Sequence, residues 1–198
     1  DANVDGSNNT SASYNAAVGK SALAVNTTGG SNTAIGCEAL AANTTASNNT
    51  AVGQAALYTN STGTQNVAIG KDALRVNVDG GQNIAVGYNA LDANTSASYN
   101  TAVGEASLSA NTTGHSNTGL GRAALQANTT SNYNTAAGYN SLAVNTTGAS
   151  NTAVGAFALD ANTSATGNTA VGGDALGDNT TGASNVAVGY YSLKANTD

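Results

Sequence analysis

One glycine returns every 17 residues, and that period limits what this chain can become. Gly19, Gly36, Gly53, Gly70, Gly87, Gly104, Gly121, Gly138, Gly155, Gly172 and Gly189 keep one register without insertion or deletion. Each sits in the same unit, written out at Asn66-Val67-Ala68-Ile69-Gly70-Lys71-Asp72-Ala73-Leu74. A unit so short cannot bury a core of its own, so it must stack on its neighbours as one coil of a solenoid. The 198 residues therefore read as a single all-β rod: a parallel β-solenoid, or β-roll, of eleven coils. The coils start at Asn15, Asn32, Asn49, Asn66, Asn83, Asn100, Asn117, Asn134, Asn151, Asn168 and Asn185, with residues 1–14 a partial coil.

Composition narrows the function classes. Charged residues make up 8% of the chain, against roughly 25% in ordinary soluble domains. The net charge of −6 is spread thinly, without the clustered Lys/Arg face that nucleic-acid binding needs. No apolar run is long enough to span a membrane. The single cysteine, Cys37, excludes a disulfide within the chain. The repeat pattern is already under way at Asn9-Thr10-Ser11 and stops at Asn196-Thr197-Asp198. That suggests a piece of a longer protein.

Within a coil, the alternation Thr50-Ala51-Val52-Gly53 predicts a strand. The Val position is almost always β-branched, which suits a strand, and it is expected to face the core, with Ala51 and its equivalents outward. The two residues after each glycine vary freely, as at Lys20-Ser21, Tyr88-Asn89 and Tyr190-Tyr191, and predict an exposed corner. A second short strand is expected around each Leu (Leu23, Leu40, Leu57 and onward). It would place Leu and the small residue two positions on (Val25, Ala42, Ala93) on the inner face. The segment Asn-Thr-Thr-Gly-x-Ser supplies the turn. Asn-Gly, the strongest hairpin signal, does not occur, which favours parallel stacking over hairpins.

One chain looks thin for stability. About one Leu and one Val or Ile per coil must offset the ordering of seventeen residues. The supposed outward position is Ala in every coil but one, where it is Gly119. Solvent would not impose that restriction, and a close protein surface would. The expectation is a homo-oligomer packed on the Ala face.

The pattern resembles two groups of proteins. Asn66-Val67-Ala68-Ile69-Gly70 is similar to the Asn-Ser-Val-Ala-Ile-Gly repeat of trimeric autotransporter adhesin heads. The unit from Asn83 to Leu91 resembles repeats of phage and bacterial tail-fibre-type proteins. The resemblance covers nearly the whole chain and implies a left-handed roll, three chains to a rod, displayed outside a cell or on a virion. The repeat here carries a longer loop than the adhesin repeats. No stalk, anchor or chaperone pattern occurs in these residues.

The motifs divide by role. Two asparagine columns, one through Asn15 and Asn185 and one through Asn26 and Asn196, read as stacked amide ladders. The second column also fits Asn-x-Ser/Thr, which makes Asn26, Asn43, Asn60, Asn94, Asn111, Asn128, Asn145, Asn162 and Asn179 candidate glycan acceptors. A threonine row (Thr33, Thr50, Thr101, Thr118, Thr135, Thr152, Thr169) could bind ice. It is interrupted at Ala16, Val67, Ile84 and Val186, and it shares its face with the Val expected in the core. Asp5-Gly6 and Asp79-Gly80 read as plain turns. His115 has no Cys, Asp or Glu cluster at ligand spacing, so neither metal nor cofactor is expected. No nucleophile–base pair or paired carboxylates can be assembled, so no enzyme is expected. Surface contacts, if this segment makes them, would use the corner aromatics Tyr88, Tyr139, Phe157, Tyr190 and Tyr191 and the loop tyrosines Tyr14, Tyr99 and Tyr133. Their partner would be a cell-surface glycan or protein receptor.

The functional expectation is a structural or adhesive shaft or head of an extracellular fibre at the cell surface or on a virion. The alternative is a filament subunit that stacks end to end. At about 4.8 Å per coil, eleven coils would span roughly 50 Å.

Overall fold

A computed structural model describes residues 14–197. It contains eleven three-residue strands: Ala16–Val18 (β1), Thr33–Ile35 (β2), Thr50–Val52 (β3), Val67–Ile69 (β4), Ile84–Val86 (β5), Thr101–Val103 (β6), Thr118–Leu120 (β7), Thr135–Ala137 (β8), Thr152–Val154 (β9), Thr169–Val171 (β10) and Val186–Val188 (β11). They form one sheet in sequence order. Every neighbour pair is parallel, and each residue faces its equivalent in the next coil: Val67 with Ile84, Ala68 with Ala85, Ile69 with Val86. No helix occurs among the described residues. The chain is a parallel β-solenoid.

Hydrogen bonds tie coils together around the whole circuit. In β4, Val67 N–H donates to Asn83 O and Gly70 N–H to Val52 O, both at 2.8 Å. Away from the sheet, Leu74 N–H reaches Ala90 O at 3.0 Å and Gln82 N–H reaches Thr64 O at 2.9 Å. The segment around each Leu is a turn rather than a second strand. Leu74 and its equivalents in all eleven coils have φ near +50° (51° at Leu74), which breaks the alternation a strand would need. As a result Ala73 and Leu74, adjacent in sequence, both point inward and are fully buried. The residue two positions beyond Leu is not their partner. Val25 is 47% and Val144 44% exposed.

The strand faces are reversed from the sequence expectation. The strand alanines Ala34, Ala51, Ala68, Ala85, Ala102, Ala136, Ala153 and Ala170 are 0% exposed. The Val/Ile position lies outside, with Ile35 at 42%, Ile69 at 40% and Val188 at 69%. The physical reason is width. A 17-residue coil must hold one Leu, one further Ala or Ser and two asparagine side chains inside, and close packing leaves the strand room for only a methyl group. Ala is restricted by its own coil, so the argument for sister chains on the Ala face no longer holds.

The glycine that sets the period is required twice over. At Gly87 φ is +138°, and an added Cβ would lie 2.5 Å from the carbonyl oxygen of Gly104 in the next coil. Any side chain would both strain the backbone and separate the coils.

Both asparagine columns are internal. Asn66 Oδ1 accepts from the backbone N–H of Asn83 at 2.9 Å, and Asn66 Nδ2 donates to Gly80 O at 2.8 Å. Asn77 Nδ2 donates to the same Gly80 oxygen at 2.9 Å and to Asn60 Oδ1 of the previous coil at 2.8 Å. The two asparagines of a coil thus converge on one carbonyl, closing the loop, while each also links to a neighbouring coil. Buried amides, hydrogen-bonded among the described residues except at Asn162 Oδ1 and Asn185 Nδ2, replace the apolar core that the narrow coil has no room for.

Candidate functional site

The outward sheet face runs the length of the rod as one eleven-stranded parallel sheet. Each strand presents its first and third residues, as in Thr101-Ala102-Val103, while the middle residue faces in. Along the rod this makes a row of Val18, Ile35, Val52, Ile69, Val86, Val103, Leu120, Ala137, Val154, Val171 and Val188 beside a row that is mostly Thr. Val67, Ile84 and Val186 make the second row apolar as well at those coils. Three residues by eleven parallel strands cover roughly 10 by 50 Å, about 500 Å². The threonine row makes part of that face polar, so its apolar share lies within the ~300–600 Å² typical of the largest apolar patch on a monomer. The threonines share this outward face with Val, so the ground given above for setting ice binding aside does not hold.

The corner aromatics pack along the rod. Lys71 Nζ lies 5.9 Å from the Tyr88 ring centroid, and the Arg122 guanidinium 5.7 Å from that of Tyr139. Arg122 also pairs with Glu105 at 3.2 Å. Tyr139 meets Phe157 edge to face at 5.2 Å. Tyr190 and Tyr191 stand 4.0 Å apart, with Lys194 at 4.6 Å over Tyr191. Apart from the Tyr190, Tyr191 and Lys194 group, which lies within one coil, these contacts run from one coil to the next and brace the corner. They use the aromatic faces that a ligand would otherwise occupy.

The loop tyrosines lie elsewhere. Tyr14, Tyr99 and Tyr133 fall in one column of the loop, with Tyr99 63% exposed. Tyr133 packs edge to face on His115 at 5.1 Å. His115 is partly exposed. The signal for its contact with Tyr133 was its place one position before the tyrosine column.

The candidate glycan acceptors Asn26, Asn43, Asn60, Asn94, Asn111, Asn128, Asn145, Asn162 and Asn179 are 0–5% exposed. Their Nδ2 atoms already donate inside the coil, as Asn94 does to Asn77 Oδ1 at 2.8 Å. In the folded rod these amides are out of reach of a transferase.

Two carboxylates are perturbed. Burial raises the pKa of Asp92, with Arg75 partly opposing the shift. Burial, followed by the charge of Asp174, raises that of Asp160. Lys194 is raised chiefly by its hydrogen bond to Asp174. Among the described residues no three His, Cys, Asp or Glu side chains group as a metal site, and Cys37 is exposed with a free thiol. No described helix is long and apolar enough to cross a membrane. Comparison with protein families, with curated proteins and with solved structures found no match to this chain.

Proposed function

We propose that this chain is a stiff shaft or head segment of an extracellular fibre, assembled from three copies and presenting a binding surface to a host or substrate. The observation that carries the reading is the outward Val/Ile stripe, which runs the length of the rod with Leu120 in place of Val and a small rung at Ala137. Its size alone is ordinary for a monomer, but it runs the length of the rod in one register, and a second and third copy would bring the same stripe in the same register. The number three, the left-handed sense and the fibre setting come from the resemblance to adhesin heads and tail-fibre repeats. The role is mechanical. Ladder bonds and stacked amides run along the axis of each chain, and sister chains close the outward Val/Ile face.

Negative-stain microscopy tests the setting. Discrete rods about 50 Å long support the fibre-segment reading, open-ended fibres support the filament alternative, and compact particles contradict both. Ice binding is the second reading that one observation favours, because Thr and Val share a flat outward face in regular parallel register. It requires that face bare, whereas self-association requires it covered. The hydroxyl row is also broken at Val67, Ile84 and Val186. A thermal-hysteresis assay separates them, and the fibre reading expects no hysteresis.

A further inference from the structure

Beside the loop tyrosines the rod carries a shallow, solvent-open depression of about 350 Å³, lined by Ser96, Ala97, Ser98 and Tyr99 of one coil and Thr113 and His115 of the next. Small-ligand sites begin at roughly this size, about 300 Å³. The depression arises from an alternation in one column. Tyr99, Ser116 and Tyr133 stand on successive coils, and the serine leaves one rung without a ring.

The imidazole beside that gap is held in place. Tyr133 meets it edge-on at an interplanar angle of 90°. Ser116 Oγ lies 3.2 Å from His115 Nδ1, and the backbone N–H of His115 donates to Asn132 Oδ1 at 2.7 Å. With Nδ1 engaged, Nε2 is the remaining hydrogen-bonding atom of the ring. Elsewhere the His115 column holds only Gly, Ala, Ser, Thr or Asn. The tyrosines are equally out of place on backbone grounds. Tyr99 and Tyr133 sit at φ 65° and 61°, where Asn or Gly is the easy choice and an aromatic gains nothing locally.

The lining therefore combines an exposed aromatic ring, an oriented imidazole and three hydroxyls, and contains no charged side chain. We propose that this depression is a binding subsite for a neutral pyranose sugar. The Tyr99 ring takes the apolar C–H face of the sugar. His115 Nε2 and the hydroxyls of Ser96, Ser98 and Thr113 take its hydroxyl groups. An extended peptide fits less well, because the depression spans only two coils and offers no charge to read. The proposal rests on the reading of the rod as a surface-presenting fibre and adds the ligand class.

The test is NMR of the full chain with labelled histidine and tyrosine. It is titrated with methyl β-D-galactopyranoside, methyl β-D-glucopyranoside, methyl α-D-mannopyranoside and methyl N-acetyl-β-D-glucosaminide to concentrations well above millimolar. The single His115 ring and the Tyr99 ring are expected to shift to saturation with at least one of these sugars. Tyr99→Ser and His115→Ser place in these columns the residue already present at Ser116 and Ser98, so the coil persists, as circular dichroism will check. Each is expected to weaken binding by roughly tenfold or more, the loss of about one good contact. No saturating shift with any of the four sugars overturns the proposal, as does saturation that survives Tyr99→Ser. The assembly mass, measured on the same sample, is independent. A trimer that ignores every sugar removes the subsite and leaves the fibre reading in place.

Discussion

The hydroxyl of Ser107 occupies the space that a methyl group on Gly119 would need. Ser107 Oγ donates to the Gly119 carbonyl at 3.0 Å, and a Cβ built on Gly119 would collide with Ser107 Oγ itself. In the other coils the strand position is Ala, faced by Ala or Ser. Here the one glycine in the strand column is matched by a serine in the facing column. Gly119→Ala alone should destabilise the rod by about 1–3 kcal/mol through overpacking. Combined with Ser107→Ala, which restores the Ala–Ala arrangement, most of that loss should disappear. Denaturant unfolding of the two single variants and the double variant measures the coupling, expected on the order of 1–3 kcal/mol.

The convergence of Asn66 and Asn77 on the Gly80 oxygen gives a second expectation. Asn77→Ala leaves Asn60 Oδ1 without its donor from this coil and removes one of the two bonds at Gly80 O. Each buried partner left unsatisfied costs about 1–3 kcal/mol. Asn77→Asp should be worse, since it places a charge where the amide donated. The same burial predicts that chain folded in a glycosylating host has the mass of its sequence, without N-glycan, which intact-mass spectrometry will read.

The period, the parallel stacking, the exposed corner and both asparagine ladders were legible in the sequence, because each needs only strict spacing and residue chemistry. The sidedness of the strand was not. Val and Ile are the usual core residues, and alternation at Thr50-Ala51-Val52 states only that Ala and Val oppose each other, not which is inside. The cross-section decides, and it depends on how much space Leu57 and the asparagines Asn49 and Asn60 already fill. The conformation of Leu57, at φ 51°, carries no signal that single-residue propensity would report. The contact of His115 with Tyr133 has no local signal, because the two are a whole coil apart in sequence.

Sidedness is open to substitution. Val103→Lys on the outward row should leave the coil folded and dissociate the copies, since a charge there disrupts only the shared apolar face. Leu125→Ala, inside the coil, should cost about 2–5 kcal/mol of stability. If Val103→Lys unfolds the chain as Leu125→Ala does, with loss of the β circular-dichroism signal before any monomer is seen, the assigned sidedness is wrong.

Acid should stabilise the rod through Asp92 and Asp160. Both folded pKa values lie above the ordinary 3.8. The folded state therefore holds these protons more tightly than the unfolded chain does. The cost of ionising them is fully present above the folded values and is relieved as pH falls through them toward 3.8. The melting temperature is expected to rise on moving from neutral pH into that window. The Asp92→Asn, Asp160→Asn double variant should melt higher than the parent at neutral pH and gain less on acidification.

The most direct test is the mass of the assembly in solution. Sedimentation equilibrium on the 19.1 kDa chain should return about 57 kDa, three copies, with a frictional ratio typical of a rod, and Val103→Lys should lower it toward a single chain. A folded parent that stays at 19.1 kDa across the concentration range, its Val/Ile stripe open to water, would contradict the account.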